Sequence, residues 1–204
     1  MTKRELFKAL HSKLFPDWRP LYDLSSVAFL RQIEPGFSVK TGIVAVRGKN
    51  DQILLGGKFL AQGKVHAIED ILEIFFRKYN ITTHLLTIRC ETYRLNLDRD
   101  NMQIDHIEDL DQYLPDLRYR ILDSLVPYIC QFNTPEKVYE RALELGPDKW
   151  ATFLVLPLVP RLLIMKRLVN APDFKDYGQW LLERIPGTDN EHLIRDLYHH
   201  LNQM

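Results

Sequence analysis

The chain has 204 residues, 46% of them hydrophobic and 11% aromatic, and its 27 Lys and Arg are balanced by 27 Asp and Glu. That content suffices for a substantial buried core and excludes a disordered chain, whose low hydrophobicity could not offset the entropy of folding. The charge is uneven: residues 1–64 carry 11 basic against 5 acidic side chains, net +6, and residues 101–204 carry 11 against 16, net −5.

Residues 2–15 predict an amphipathic helix, because Leu6, Leu10 and Leu14 recur at four-residue spacing beside Phe7, with Lys3, Lys8 and Lys13 elsewhere. Pro16 and Pro20 stop it. Val27, Phe29, Arg31 and Ile33 alternate along a strand over residues 25–33, and Pro35-Gly36 supplies a turn. Phe37, Val39, Thr41, Ile43 and Ala45 share one face of a second strand. The polar stretch RGKND (47–51) is hairpin chemistry, leading into a third strand over QILLGGKFLA (52–61). A helix follows over 66–79, with Ile68, Ile71, Leu72, Phe75 and Phe76 inward, and a last strand over 83–96.

From about residue 108 the hydrophobic period lengthens from 2 to 3.6. Leu114, Leu117, Ile121, Leu125 and Ile129 predict one helix, and Thr134-Pro135 opens another that stops at Gly146-Pro147. The last two helices cover 173–185 and the stretch after Asp189 or Asn190, through Leu193, Leu197 and Leu201. Strands first and helices afterwards predict an α+β fold: an N-terminal helix and an antiparallel sheet of about four strands, then a C-terminal helical region. Residues 1–107 form the sheet portion and 108–204 the helical portion, packed as one composite domain.

The greasiest stretch, WATFLVLPLVPRLLIMKRLV (150–169), does not predict a membrane span. A spanning helix needs about 20 mostly apolar residues. Here Arg161 interrupts the run, Lys166 and Arg167 close it, and Pro157 and Pro160 lack the N–H of a helix interior. Two short buried segments joined at the prolines fit better. The first residues, Met1 to Glu5, contain no apolar run of a secretory signal, and two cysteines, Cys90 and Cys130, are too few for a disulfide framework. A cytoplasmic chain with reduced thiols is expected.

No catalytic constellation emerges. GGKFLAQGKV (56–65) sits between a strand and a helix like a phosphate loop, but five residues separate Gly57 from Gly63 and Val65 offers no hydroxyl to magnesium. DRDNMQIDHIED (98–109) has the length of a calcium loop, yet Met102 replaces a ligand and Gln103 the turn glycine. The seven histidines form no HExxH pair, no GxSxG elbow exists, and Asp51 and Lys58 are too far apart for a nuclease triad. His66, Glu69 and Asp70 suit a helix start, with acids complementing the dipole. A Cys–His dyad stays open. Catalytic residues, metals and cofactors are therefore all expected to be none.

Two charged groups remain as partner-binding candidates: the basic Lys40, Arg47, Lys49 and Lys58 around the hairpin, and the acidic connector Asp105, Glu108, Asp109 and Asp111. Regions of opposite sign suit an acidic and a basic protein partner, or are two solvated surfaces. The basic strands also suit nucleic-acid phosphate, although Phe37 and Phe59 fall where a core needs them.

The layout has a likeness of its own. An N-terminal helix, strands containing Phe29-Leu30-Arg31, and a helix ending PYICQF (127–132) before Thr134-Pro135-Glu136 resemble an uncharacterised bacterial α+β family often encoded among toxin and immunity genes. The resemblance spans residues 2–145, and residues 150–204 have no counterpart in it. It implies a binding role without catalysis, and the absence of catalytic chemistry together with the split charge leads to the expectation of a non-enzymatic immunity or antitoxin-type protein that inhibits a partner protein such as a toxin by complementary charge.

Overall fold

The computed structural model describes residues 1–48, 52–83 and 85–204, and the fold is α+β with an antiparallel sheet. By packing, the chain divides into two compact units: residues 1–63 with 89–131, and residues 64–88 with 132–204. Each unit draws on both the strand-rich and the helix-rich parts of the sequence.

In the first unit, α1 (Lys3–Leu14) opens with a capping box in which Thr2 and Glu5 satisfy each other's backbone N–H groups. Leu6, Phe7, Leu10 and Leu14 are buried, as the four-residue spacing predicts. The chain then enters β1 (Arg19–Tyr22), which the alternation does not reveal because it is four residues long and contains Pro20. Proline is tolerated there since β1 is an edge strand. β2 (Ser26–Glu34) and β3 (Phe37–Arg47) are the first two predicted strands, paired antiparallel across the Pro35-Gly36 turn with Phe29 opposite Thr41 and Val27 opposite Ile43, while Lys49, Asn50 and Asp51 of the predicted RGKND hairpin lie outside the described residues. Phe15 stacks on Phe29 at 4.1 Å between centroids and meets Trp18 edge-on, so the helix is keyed to the sheet by aromatic contact.

The predicted third strand is two strands, β4 (Ile53–Leu55) and β5 (Leu60–Val65), both in the sheet with β3. Gly57 explains the break: a side chain there would lie 1.9 Å from the Arg99 carbonyl oxygen. The backbone of the 99–101 connector occupies that space, and Asn101 Oδ1 accepts from Gly57 N–H at 3.2 Å.

The predicted strand over 83–96 contracts to β6 (Ile88–Glu91), followed by a 3-10 turn, Thr92–Leu95. Thr92 turns the chain: its hydroxyl accepts from Phe59 N–H and donates to Asp98. Inside the acidic connector lies β7 (Met102–Ile104), antiparallel to β4. Among the described residues the sheet thus has seven strands where about four are expected, and the surplus are short pieces with too few alternations to read.

The helix predicted over Leu114 to Ile129 is a continuous run of three geometries: α3 (Leu110–Arg118), a π-helical segment (Tyr119–Leu125) and α4 (Val126–Cys130). Pro127 supplies no N–H to the preceding turn, which favours a widened ladder just before it.

The second unit is helical. It contains α2 (His66–Lys78), α5 (Pro135–Leu145), α6 (Trp150–Phe153), α7 (Leu158–Leu168), α8 (Phe174–Arg184) and α9 (Glu191–Gln203). Thr134 caps α5 as predicted, whereas Asn190 precedes α9 without a side-chain capping bond. Pro157 splits the apolar stretch, with α6 and α7 separated by a short extended segment containing a cis Leu156–Pro157 bond, whereas Pro160 lies in the first turn of α7 and breaks nothing. Residues Pro160 to Lys166 of α7 are all buried, with α2, α5, α8 and α9 packed against the helix. A helix apolar all round belongs at the centre of a bundle. Among the described residues, no helix is long and apolar enough to cross a membrane.

Candidate interaction surface

Alternation along β2 and β3 divides the sheet of the first unit into two faces. Val27, Phe29, Ile43, Ala45, Ile53 and Leu55 point to the core and are at most 2% exposed. The other face stays open. Pairing across the strands sets Arg19, Leu30 and Lys40 in one row and Leu21, Ala28 and Gly42 in the next, with Val44 beyond them and then Val46, Leu54 and Gln103 in a further row. On the central strand Val44 is 49% and Val46 45% exposed, so nothing packs over them. No carboxylate lies in these rows.

The basic candidates do not form one patch. Lys40 lies on the open face, half-buried, without an ion-pair partner among the described residues. Arg47 ends β3 seven residues later, so the strand's alternation aims it to the opposite face. At about 3.3 Å per residue, the two sit roughly 23 Å apart. Lys58 is 78% exposed in the turn after Gly57, with its Nζ 3.8 Å from Asp98. Lys49 lies outside the described residues.

The acidic connector is structural at most of its positions. Asp109 accepts from the backbone N–H of His106 at 2.7 Å and of Asp105 at 2.9 Å, and these bonds, His106's first, hold its carboxyl below its ordinary value. Asp111 pairs with Lys13, and Asp105 accepts from the Gln103 amide. Glu108 is exposed.

The groups that could do chemistry are engaged otherwise. Burial raises the Cys90 thiol to about 11 and pushes Cys130 upward too, which keeps both protonated near neutrality. Among the described residues, no group of three His, Cys, Asp or Glu side chains could hold a metal ion. Glu69 does stand in the first turn of α2, where the sequence places it, but its side chain has a further task. Glu69 is fully buried and takes a two-pronged bond from Arg161, Nε to Oε1 at 2.7 Å and Nη2 to Oε2 at 2.8 Å. Thr87 donates to the same carboxylate, and Arg161 Nη1 reaches the carbonyls of Val155 and Pro157. The sequence carries a signal for this: an arginine inside the most apolar stretch of the chain requires a partner.

The second unit also holds an apolar cavity of about 560 Å³, between Leu156–Pro160 and Ile185, Thr188, Asn190 and Ile194. None of these residues is charged. Comparison with known protein families, with curated proteins and with solved structures finds no match to this chain.

Proposed function

We propose that this chain is a non-enzymatic binding protein of the immunity or antitoxin type, which inhibits a partner protein by charge-complementary contact. The observation that supports this reading is the open sheet face, where half-exposed valines on a central strand lead to a pair of cations, Arg19 and Lys40, in the row at one end. A surface that is apolar at its centre and charged at its edge is built like a protein interface. The buried polar groups, by contrast, are spent on holding backbone and helices in place.

The test is co-purification of the intact chain from its source cell, followed by stoichiometric addition to the purified partner. Loss of the partner's activity on addition supports inhibition. Absence of any protein partner would reject it. A second reading, nucleic-acid binding through Arg47, Lys49 and Lys58, rests on their basic charge around the hairpin. It requires DNA or RNA affinity that falls steeply with salt, and undetectable binding at low salt removes it.

A further inference from the structure

We infer that the open face of the sheet is the docking surface itself, and that its occupant is a protein segment presenting aliphatic side chains next to carboxylates. This rests on the binding-protein reading above and adds the site and the chemistry of the partner. Along β3 the outward positions run Lys40, Gly42, Val44, Val46, a strip about 20 Å long at 3.3 Å per residue. Cross-strand neighbours widen it with Leu30 and Leu54. Arg19 and Lys40 flank Leu30 at one end, so the strip has apolar length and a positive terminus.

That polarity selects among occupants. A nucleic acid would want aromatic faces for its bases as well as cations, and the strip's outward rows are aliphatic. A lipid surface calls for clusters of about 4–8 basic residues, against two here. A second copy of the chain would offer Arg19 and Lys40 no carboxylate from these rows, only Asp105 at the far border, one carboxylate for two cations and already bonded to Gln103, so at least one cation would dry unpaired at a desolvation cost. A segment with aliphatic residues followed by Asp or Glu satisfies the whole strip at once.

The experiment places a photo-crosslinking benzoylphenylalanine at Val44 in the full chain, expressed in its source cell. A parallel variant carries the crosslinker at Leu143, an exposed site on the second unit, as the control. The expected adduct at Val44 is a protein whose linked peptide carries Asp or Glu. With that protein purified, Lys40→Glu should weaken binding about tenfold, the scale of one close charge pair, and reversing the partner's carboxylate to Lys should restore it. Lys40 is half-exposed, and an unchanged melting temperature confirms that the variant is folded. An adduct with nucleic acid, lipid or a second copy, or affinity indifferent to Lys40→Glu, overturns the inference. Protein adducts at Leu143 but none at Val44 overturn the site alone and leave the binding function standing. No protein adduct at either position, together with no co-purifying protein, removes both.

Discussion

Two arginines, one in each unit, are completely buried, and they are held in different ways. Arg161 meets a buried carboxylate, Glu69, in a fork geometry, and its Nη1 reaches two backbone carbonyls. Arg120, in the π-helical segment, pairs with Asp116, which is 42% exposed at its side chain, and donates to the Gly57 carbonyl at 2.8 Å. Its guanidinium also lies 4.7 Å from the Phe59 ring, and its Nε meets no acceptor among the described residues. The first arrangement is a closed ion pair, while the second is a cation used as a backbone clamp. Removing one partner of a closed pair strands a charge in the core, whereas removing the clamp strands neutral carbonyls and a carboxylate, Asp116, that is part-exposed to water.

The largest expected effect is therefore at Arg161. Arg161→Ala should cost about 3–5 kcal/mol, because Glu69 is left buried without its counter-charge. The double change Glu69→Leu with Arg161→Met should cost much less than the two single changes together, since it removes both charges. Denaturant unfolding of the three variants measures this coupling, and additive losses would show that the pair is not a unit. Arg120→Ala should cost less, about 2–3 kcal/mol, from carbonyls that lose a charged donor. A loss equal to that of Arg161→Ala would erase the distinction between pair and clamp.

A smaller effect concerns a part-exposed carboxylate with a structural task. Backbone N–H bonds hold Asp109 below its ordinary value of 3.8. Because the folded state favours the charged form, Asp109 contributes stability above that ordinary value, and the contribution disappears as pH falls through the lowered one. The melting-temperature gap between wild type and Asp109→Asn should accordingly be widest near neutral pH and close on acidification. A gap independent of pH would mean that the substitution acts through shape and not charge.

The smallest change in stability is expected at the hairpin. Reversing the exposed Arg47, together with Lys49, to Glu should shift it by under about 0.5 kcal/mol. Association with an acidic partner should slow, most clearly at low salt. Asp105 and Glu108 are the cleaner opposite-sign control, because Asp109 and Asp111 have structural partners that a reversal would break. Equal association rates in both charge-reversed sets would reduce the charge asymmetry to solvated surface.

Much of this architecture is legible in the residues one by one. Leu6, Leu10 and Leu14 predict α1, the alternation around Phe29 and Ile43 predicts β2 and β3, Thr134-Pro135 marks the start of α5, and Pro157 marks the division of the apolar stretch. These are local signals, in which spacing and backbone chemistry act within a few residues of each other. The candidate surface is half legible: Lys40 is singled out by its charge, but its companions are valines and leucines that read as core.

What the sequence by itself determined is the longer elements and the side of each that is apolar. Tertiary structure decided which apolar side is covered, because Val44 and Val46 alternate as well as any buried pair and only packing shows that nothing lies over them. It also decided that Gly57 breaks a strand, since the obstacle is the Arg99 carbonyl, far along the chain. Likewise Glu69 and Arg161 are 92 positions apart, and neither carries a local sign of the other. Burial and pairing depend on distance in space, and a periodicity read along the chain cannot contain it.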